Sequence, residues 1–311
     1  MIQRLLIALV AFVAAVQPAY AQKRIALTFD DVPRQRGAFF TPDERSAKLI
    51  AALRDSGVRQ AALFVIPGRL ALSDGVGGEA RIAAYVAAGH VIANHTFSHP
   101  HLKSTAATDY LADIDKAEAW LKGRPGYRPW FRFPYLDEGA DDKRKRDAVR
   151  AGLKVRGLRN GYVTADGVDW HLEQLTIDAA KANKTMDRKA LRKLYLQMQR
   201  GAIDYHDAMA VKTLGRSPAH VLLLHETDLA ALFLPDLVAE LRKAGWTIVT
   251  ADEAFADPIN AAMPDVPYAY GTLIGSMAWE KNIDPPLSPL WISESVATLL
   301  FRQRVLKEKV N

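Results

Sequence analysis

Short apolar runs alternate with helical segments about seven times between Ile25 and Val249, and that alternation leaves this chain few folds to choose from. Ile25–Phe29, Gln60–Ile66, His90–Ala93, Trp130–Phe133, Leu158–Thr164, Val221–Leu224 and Trp246–Val249 read as strands, each too short for a helix and bounded by Gly, Pro or charged residues. Helices are expected from the Thr41-Pro42-Asp43-Glu44 start to Ser56, then over Glu79–Ala88, Ala106–Lys122, Asp141 to before Gly157, Met186–Thr213 and Pro235–Ala244. Strands separated by helices pair in parallel with the helices outside, as a barrel or a doubly wound sheet. No G-x-G-x-x-G follows the first strand, which argues against a dinucleotide fold. Seven units over about 235 residues suit a (β/α) barrel. The expected class is therefore α/β.

A parallel barrel gathers its chemistry beyond the C-terminal ends of its strands. Those ends are rich in reactive side chains. The first carries Asp30 and Asp31, two adjacent carboxylates that repel unless a cation or proton intervenes. The third carries His95 and His99, and the fourth carries Arg132, Pro134 and Tyr135. Beyond the fifth come Asp166 and Asp169-Trp170, and the sixth ends on His225. Two His and one Asp offer a metal three ligands and leave positions open for water and substrate. The second Asp is then free as a general base, which an Arg can hold ionised. His90, His206 and His220 fall outside these ends and read as structural; His101 and His171 read as rim positions at most.

Residues 1–21 stand apart. Arg4 precedes an unbroken apolar run, Leu5–Val16, and then Ala19-Tyr20-Ala21, the pattern of a secretory signal peptide with cleavage after Ala21. The run is too short for a membrane span, which needs about 20 residues. The expected product is exported, periplasmic or secreted, with no span after cleavage. There is no cysteine, so disulfides and thiol catalysis are excluded. A net charge of +6 is mildly basic. Lys143-Arg144-Lys145-Arg146 lies among Asp141, Asp142 and Asp147 and reads as a solvated helix face, with no nucleic-acid partner expected. Prolines punctuate residues 258–311, read as an extension that packs on the barrel and ends in a helix over Leu290–Leu306, with Trp279 and Trp291 as packing residues.

The segments T-F-D-D (28–31), H-T-F-S-H (95–99), R-F-P-Y (132–135), D-W (169–170) and L-L-L-H (222–225) resemble, in order, the five motifs of the NodB-homology polysaccharide deacetylases, carbohydrate esterase family four. The resemblance covers about Arg24–Asp257, so residues 22–257 are expected to form the catalytic domain. It implies a distorted seven-stranded barrel and a divalent metal, often zinc, on Asp31, His95 and His99. It implies Asp30 as catalytic base, Arg132 as its orienting partner, and the Tyr135 N–H as an oxyanion donor. Asp169 would orient His225, the general acid, although Asp166 lies as near in sequence. Trp170 would line the pocket with Tyr135. The expected activity is hydrolysis of N-acetyl, or as the second choice O-acetyl, groups on an acetylated polysaccharide or oligosaccharide. An amidohydrolase of small non-peptide amides and an inactive carbohydrate-binding barrel are the alternatives.

Overall fold

The first strand, β1 (Arg24–Val32), is buried on both faces, with Ile25, Ala26, Leu27 and Phe29 fully inaccessible. A strand covered on both sides reads as a continuous apolar run rather than an alternation, which is why it is central in a parallel sheet. The computed structural model describes residues 22–285 and 287–309; the signal peptide read over residues 1–21 lies outside the described residues. The chain continues through β2 (Ala62–Val65), β3 (Val91–Asn94), β4 (Tyr127–Phe131), β5 (Asp137–Ala140), β6 (Arg159–Asn160), β7 (Ala165–Asp166), β8 (Ala219–His225), β9 (Thr247–Ile248) and β10 (Ala269–Tyr270). The main sheet runs in the order β6-β4-β3-β2-β1-β8-β7, with β9 beside the start of β1, and every pairing in it is parallel. This is the distorted seven-position α/β barrel.

The distortion falls at the fifth position, where the expected strand Leu158–Thr164 is reduced to β6 and a second short strand, β7, begins just beyond it. The cause is Arg132. Its Nε donates to Gly161 O (2.7 Å) and its Nη2 to Tyr162 O (3.3 Å), so two carbonyls between β6 and β7 serve the guanidinium instead of a ladder. The segment still bridges its neighbours, through Gly161 N–H to Phe131 O (2.6 Å) and Thr164 N–H to Val221 O (3.1 Å). Gly161 is needed there, since a Cβ would fall 2.7 Å from the Phe64 ring.

Outside the sheet lie α1 (Pro42–Asp55), α2 (Gly78–Ala87), α3 (Ala107–Leu121), α4 (Lys143–Val155), α5 (Asp169–Lys181), α6 (Arg188–Leu214), α7 (Asp228–Lys243), α8 (Ala251–Phe255), α9 (Leu273–Glu280) and α10 (Glu294–Leu300). Thr41 and Glu44 form a capping box on α1. Helix α7 begins at Asp228, capped by Thr227, and carries Pro235 inside it rather than at its start. On α4, Arg146 is buried, bonded to Asp265 and the Val266 carbonyl, so that part of the basic run is not solvated.

The C-terminal residues pair β10 antiparallel with β5 and lie against α6. Instead of one helix over Leu290–Leu306 there is a tight turn at Pro289–Ile292, then α10 capped by Ser293, then a wide turn at Phe301–Val305 that buries Phe301 and Val305. Trp291 packs against Gly201, where a Cβ would meet the indole at 2.2 Å, whereas Trp279 is 56% exposed and does not pack. Among the described residues no helix is long and apolar enough to cross a membrane.

Candidate active site

β1 does not stop before its acids. It runs through Asp30 and Asp31 with an irregularity in its pairing to β2, and Asp31 adopts φ 72°. The two neighbouring carboxylates therefore meet different surroundings. Asp30 is level with His225 in the parallel register of β1 and β8. Its Oδ1 accepts from Arg132 Nη1 at 2.6 Å, and the same nitrogen reaches Thr28 Oγ1 at 2.8 Å. Asp30 and Arg132 are almost fully buried. Burial pushes the Asp30 carboxyl above its ordinary value, with Arg132 pulling the other way.

Asp31 faces Arg69 (Nη2–Oδ1, 3.1 Å) and Arg34 (Nη1–Oδ2, 2.9 Å). Burial favours its neutral form, but Arg69 and Arg34 together outweigh it and hold the carboxyl well below the usual carboxylate range. His99 Nε2 lies 3.2 Å from Asp31 Oδ1. His95 donates through Nδ1 to the Arg132 carbonyl (2.8 Å), which turns its Nε2 toward the Asp pair. One donor atom from each of Asp31, His95 and His99 lies within 4.8 Å of the others.

The loop that carries both histidines is tied down from α3. Asp113 accepts from Phe97 N–H, Ser98 N–H and Ser98 Oγ, and Asn94 spans Glu118 and the Thr96 N–H. These bonds hold Thr96 and His99 at positive φ, a conformation non-glycine residues rarely adopt unsupported. Burial pushes His95 down to about 3, and burial with the neighbouring His95 does the same to His99. Two neutral imidazoles and one ionised carboxylate are a donor set that fits a divalent cation.

Across the cleft, His225 Nδ1 lies 2.8 Å from Asp169 Oδ1, and its backbone N–H donates to Asp169 Oδ2 at 2.7 Å. Asp169, not Asp166, is thus its partner. Burial disfavours the imidazolium, but Asp169 outweighs it, and His225 is raised above its ordinary value. Tyr135 sits at φ 59°, its ring stacked on His101 at 3.5 Å, and Trp170 is 37% exposed at the rim. Asp30, Asp31, His95, His99, Tyr135, Trp170 and His225 line one cleft of about 540 Å³. Arg132 and Asp169 stand just behind it, each bonded to a lining residue.

Residues 18–155 match the polysaccharide deacetylase family model. Over that stretch the chain is similar to the polysaccharide deacetylases. A peptidoglycan-N-acetylglucosamine deacetylase of Bacillus cereus is 34% identical over 152 residues, covering 49% of this chain and 48% of that protein. A chitin deacetylase of Colletotrichum lindemuthianum is 30% identical over 113 residues, covering 36% of this chain and 42% of that protein. The chain thus spans about half the length of the curated relatives it matches. The solved structure of the Colletotrichum lindemuthianum chitin deacetylase superposes with a TM-score of 0.51 at 19% identity, over 76% of this chain and 90% of that one. A carbohydrate esterase family four pseudoenzyme with restored activity gives 0.52 at 19% identity, over 75% and 68%. These two likenesses show the fold.

The site also holds residues that strand-end positions do not single out. Arg34 and Arg69 come from loops after β1 and β2 and have no periodic signal. Tyr270 and Glu294 line the same cleft from the C-terminal segment, beyond the matched region. Helix α5 was not read, because its buried face, Asp169, Leu172, Glu173, Thr176 and Ala179, has helical spacing but includes two carboxylates.

Proposed function

We propose that this protein is an exported, metal-dependent hydrolase that removes N-acetyl groups, or as the second choice O-acetyl groups, from a polysaccharide. One observation carries this reading. Two buried acid–base pairs, Asp30–Arg132 and Asp169–His225, face a single cleft beside a three-donor metal set. A binding module needs no such opposed pairs. The similarity to a peptidoglycan-N-acetylglucosamine deacetylase and a chitin deacetylase points to the same substrate class. The Arg4–Ala21 pattern supports export.

Asp31, His95 and His99 would hold the metal, most simply zinc given two imidazoles and one carboxylate. When bound, that ion supplies Lewis acidity, polarising an acyl oxygen and acidifying water. Asp30, raised by burial yet oriented by Arg132, takes the proton of the attacking water. The Tyr135 N–H donates to the developing oxyanion. His225, kept charged by Asp169, gives its proton to the departing sugar nitrogen, a transfer a neutral imidazole cannot make. Trp170 and the Tyr135 ring flank the sugar. The test is acetate release from a panel of acetylated glycans, before and after metal removal and restoration. Chelator-sensitive release that metal restores is expected; no release from any acetylated glycan by the metal-loaded protein contradicts the reading.

A further inference from the structure

Asp166 is a carboxylate in the cleft that has no task in that mechanism. It ends β7, where the register sets it beside Leu223 of β8, two residues before His225 on the same face of that strand. Asp166 and Leu223 line the same cleft as His225. Its Oδ1 is buried with no hydrogen-bond partner, and Asp166 makes no ion pair among the described residues.

Burial raises the Asp166 carboxyl to about 7, so it is ionised and an acceptor only above that pH, where a buried carboxylate oxygen left unpaired is costly unless something that enters the site completes it. In the proposed reaction, the nitrogen that receives the His225 proton offers a lone pair to His225 and still bears one hydrogen. We propose that Asp166 accepts a hydrogen bond from that amide N–H and so makes the site select N-acyl over O-acyl substrates. An ester oxygen in the same place has no hydrogen to give. It leaves the carboxylate unpaired and faces its lone pairs toward it. A site built to bond an N–H rejects the analogue lacking it far more strongly than a change of shape alone would allow. This inference rests on the deacetylase reading and narrows its substrate class.

The experiment compares kcat/KM for a 2-acetamido-2-deoxyglucoside oligomer and the 2-O-acetyl glucoside oligomer of equal length, at a pH where Asp166 is ionised, in wild type, Asp166→Ala and Asp166→Leu. Wild type should prefer the amide, and both variants should lose about 10–100-fold of that preference through the amide arm. Two variants are used because one could fold poorly; circular dichroism and metal content show which is usable. Equal loss on both substrates, or no change on either, overturns the role of Asp166. Wild type that cleaves the ester at least as fast as the amide also overturns it while leaving a deacetylase. Wild type that cleaves neither overturns the deacetylase reading and this inference with it.

Discussion

Asp169 has two possible jobs, and they separate by pH. It bonds the Trp170 N–H at the start of α5 and also His225 Nδ1. As the partner of a general acid it keeps His225 protonated, so activity should persist up to the raised pKa of His225 and fall as pH climbs through it. Asp169→Asn removes the charge that outweighs burial, so that pKa drops. The alkaline limb of kcat/KM should move to lower pH, with turnover down about 100-fold at its best pH. If Asp169 merely steadies the helix start, the variant loses thermal stability and its limb stays put. The sequence placed Asp166 and Asp169 equally near His225, and what separates them is a helix: Asp169 stands in the first turn of α5, where its side chain turns back onto β8. Arg34 and Arg69 were illegible for a different reason. A loop arginine carries no periodicity, and only the fold brings it to Asp31.

At the level of elements, strands were legible where their pairing is regular and illegible where backbone groups serve the site. The fifth strand breaks because Arg132 takes its carbonyls, a contact between residues 29 positions apart that no window of sequence displays. The loop between β1 and α1 is a second such case. Asp228, wholly buried at the start of α7, accepts from Phe39 N–H and Phe40 N–H and lies 3.4 Å from Arg45. That anchors the loop which delivers Arg34 to Asp31. Gly37 packs directly on the carboxylate: a Cβ there would lie 2.2 Å from Asp228 Oδ2. Asp228 is pinned by those bonds and cannot retreat. Gly37→Ala should therefore destabilise the protein by about 1–3 kcal/mol, as overpacking does elsewhere. A urea midpoint equal to wild type would show that Asp228 does not clamp this loop.

For the whole molecule, the barrel rule carried the reading furthest. Side chains from β1, β8, α5 and the loops after β3 and β4, scattered from Asp30 to His225, meet in one cleft because parallel strands all deliver their C-terminal ends to one face. The far wall was not legible. Tyr270 and Glu294 reach the cleft through an antiparallel pairing of β10 with β5 and through α10, and neither element has a pattern tied to the barrel. The proposed division of labour between the two neighbouring aspartates holds the account together: Asp31 would join His95 and His99 as a metal ligand, and Asp30 would work as a base. The most direct test measures metal per chain and acetate release together in wild type, Asp30→Asn and Asp31→Asn. The account predicts about one divalent ion in wild type and in Asp30→Asn, with acetate released only by wild type, and loss of both metal and activity in Asp31→Asn. An Asp30→Asn protein that loses its metal as readily as Asp31→Asn, or that still releases acetate at the wild-type rate, would contradict it.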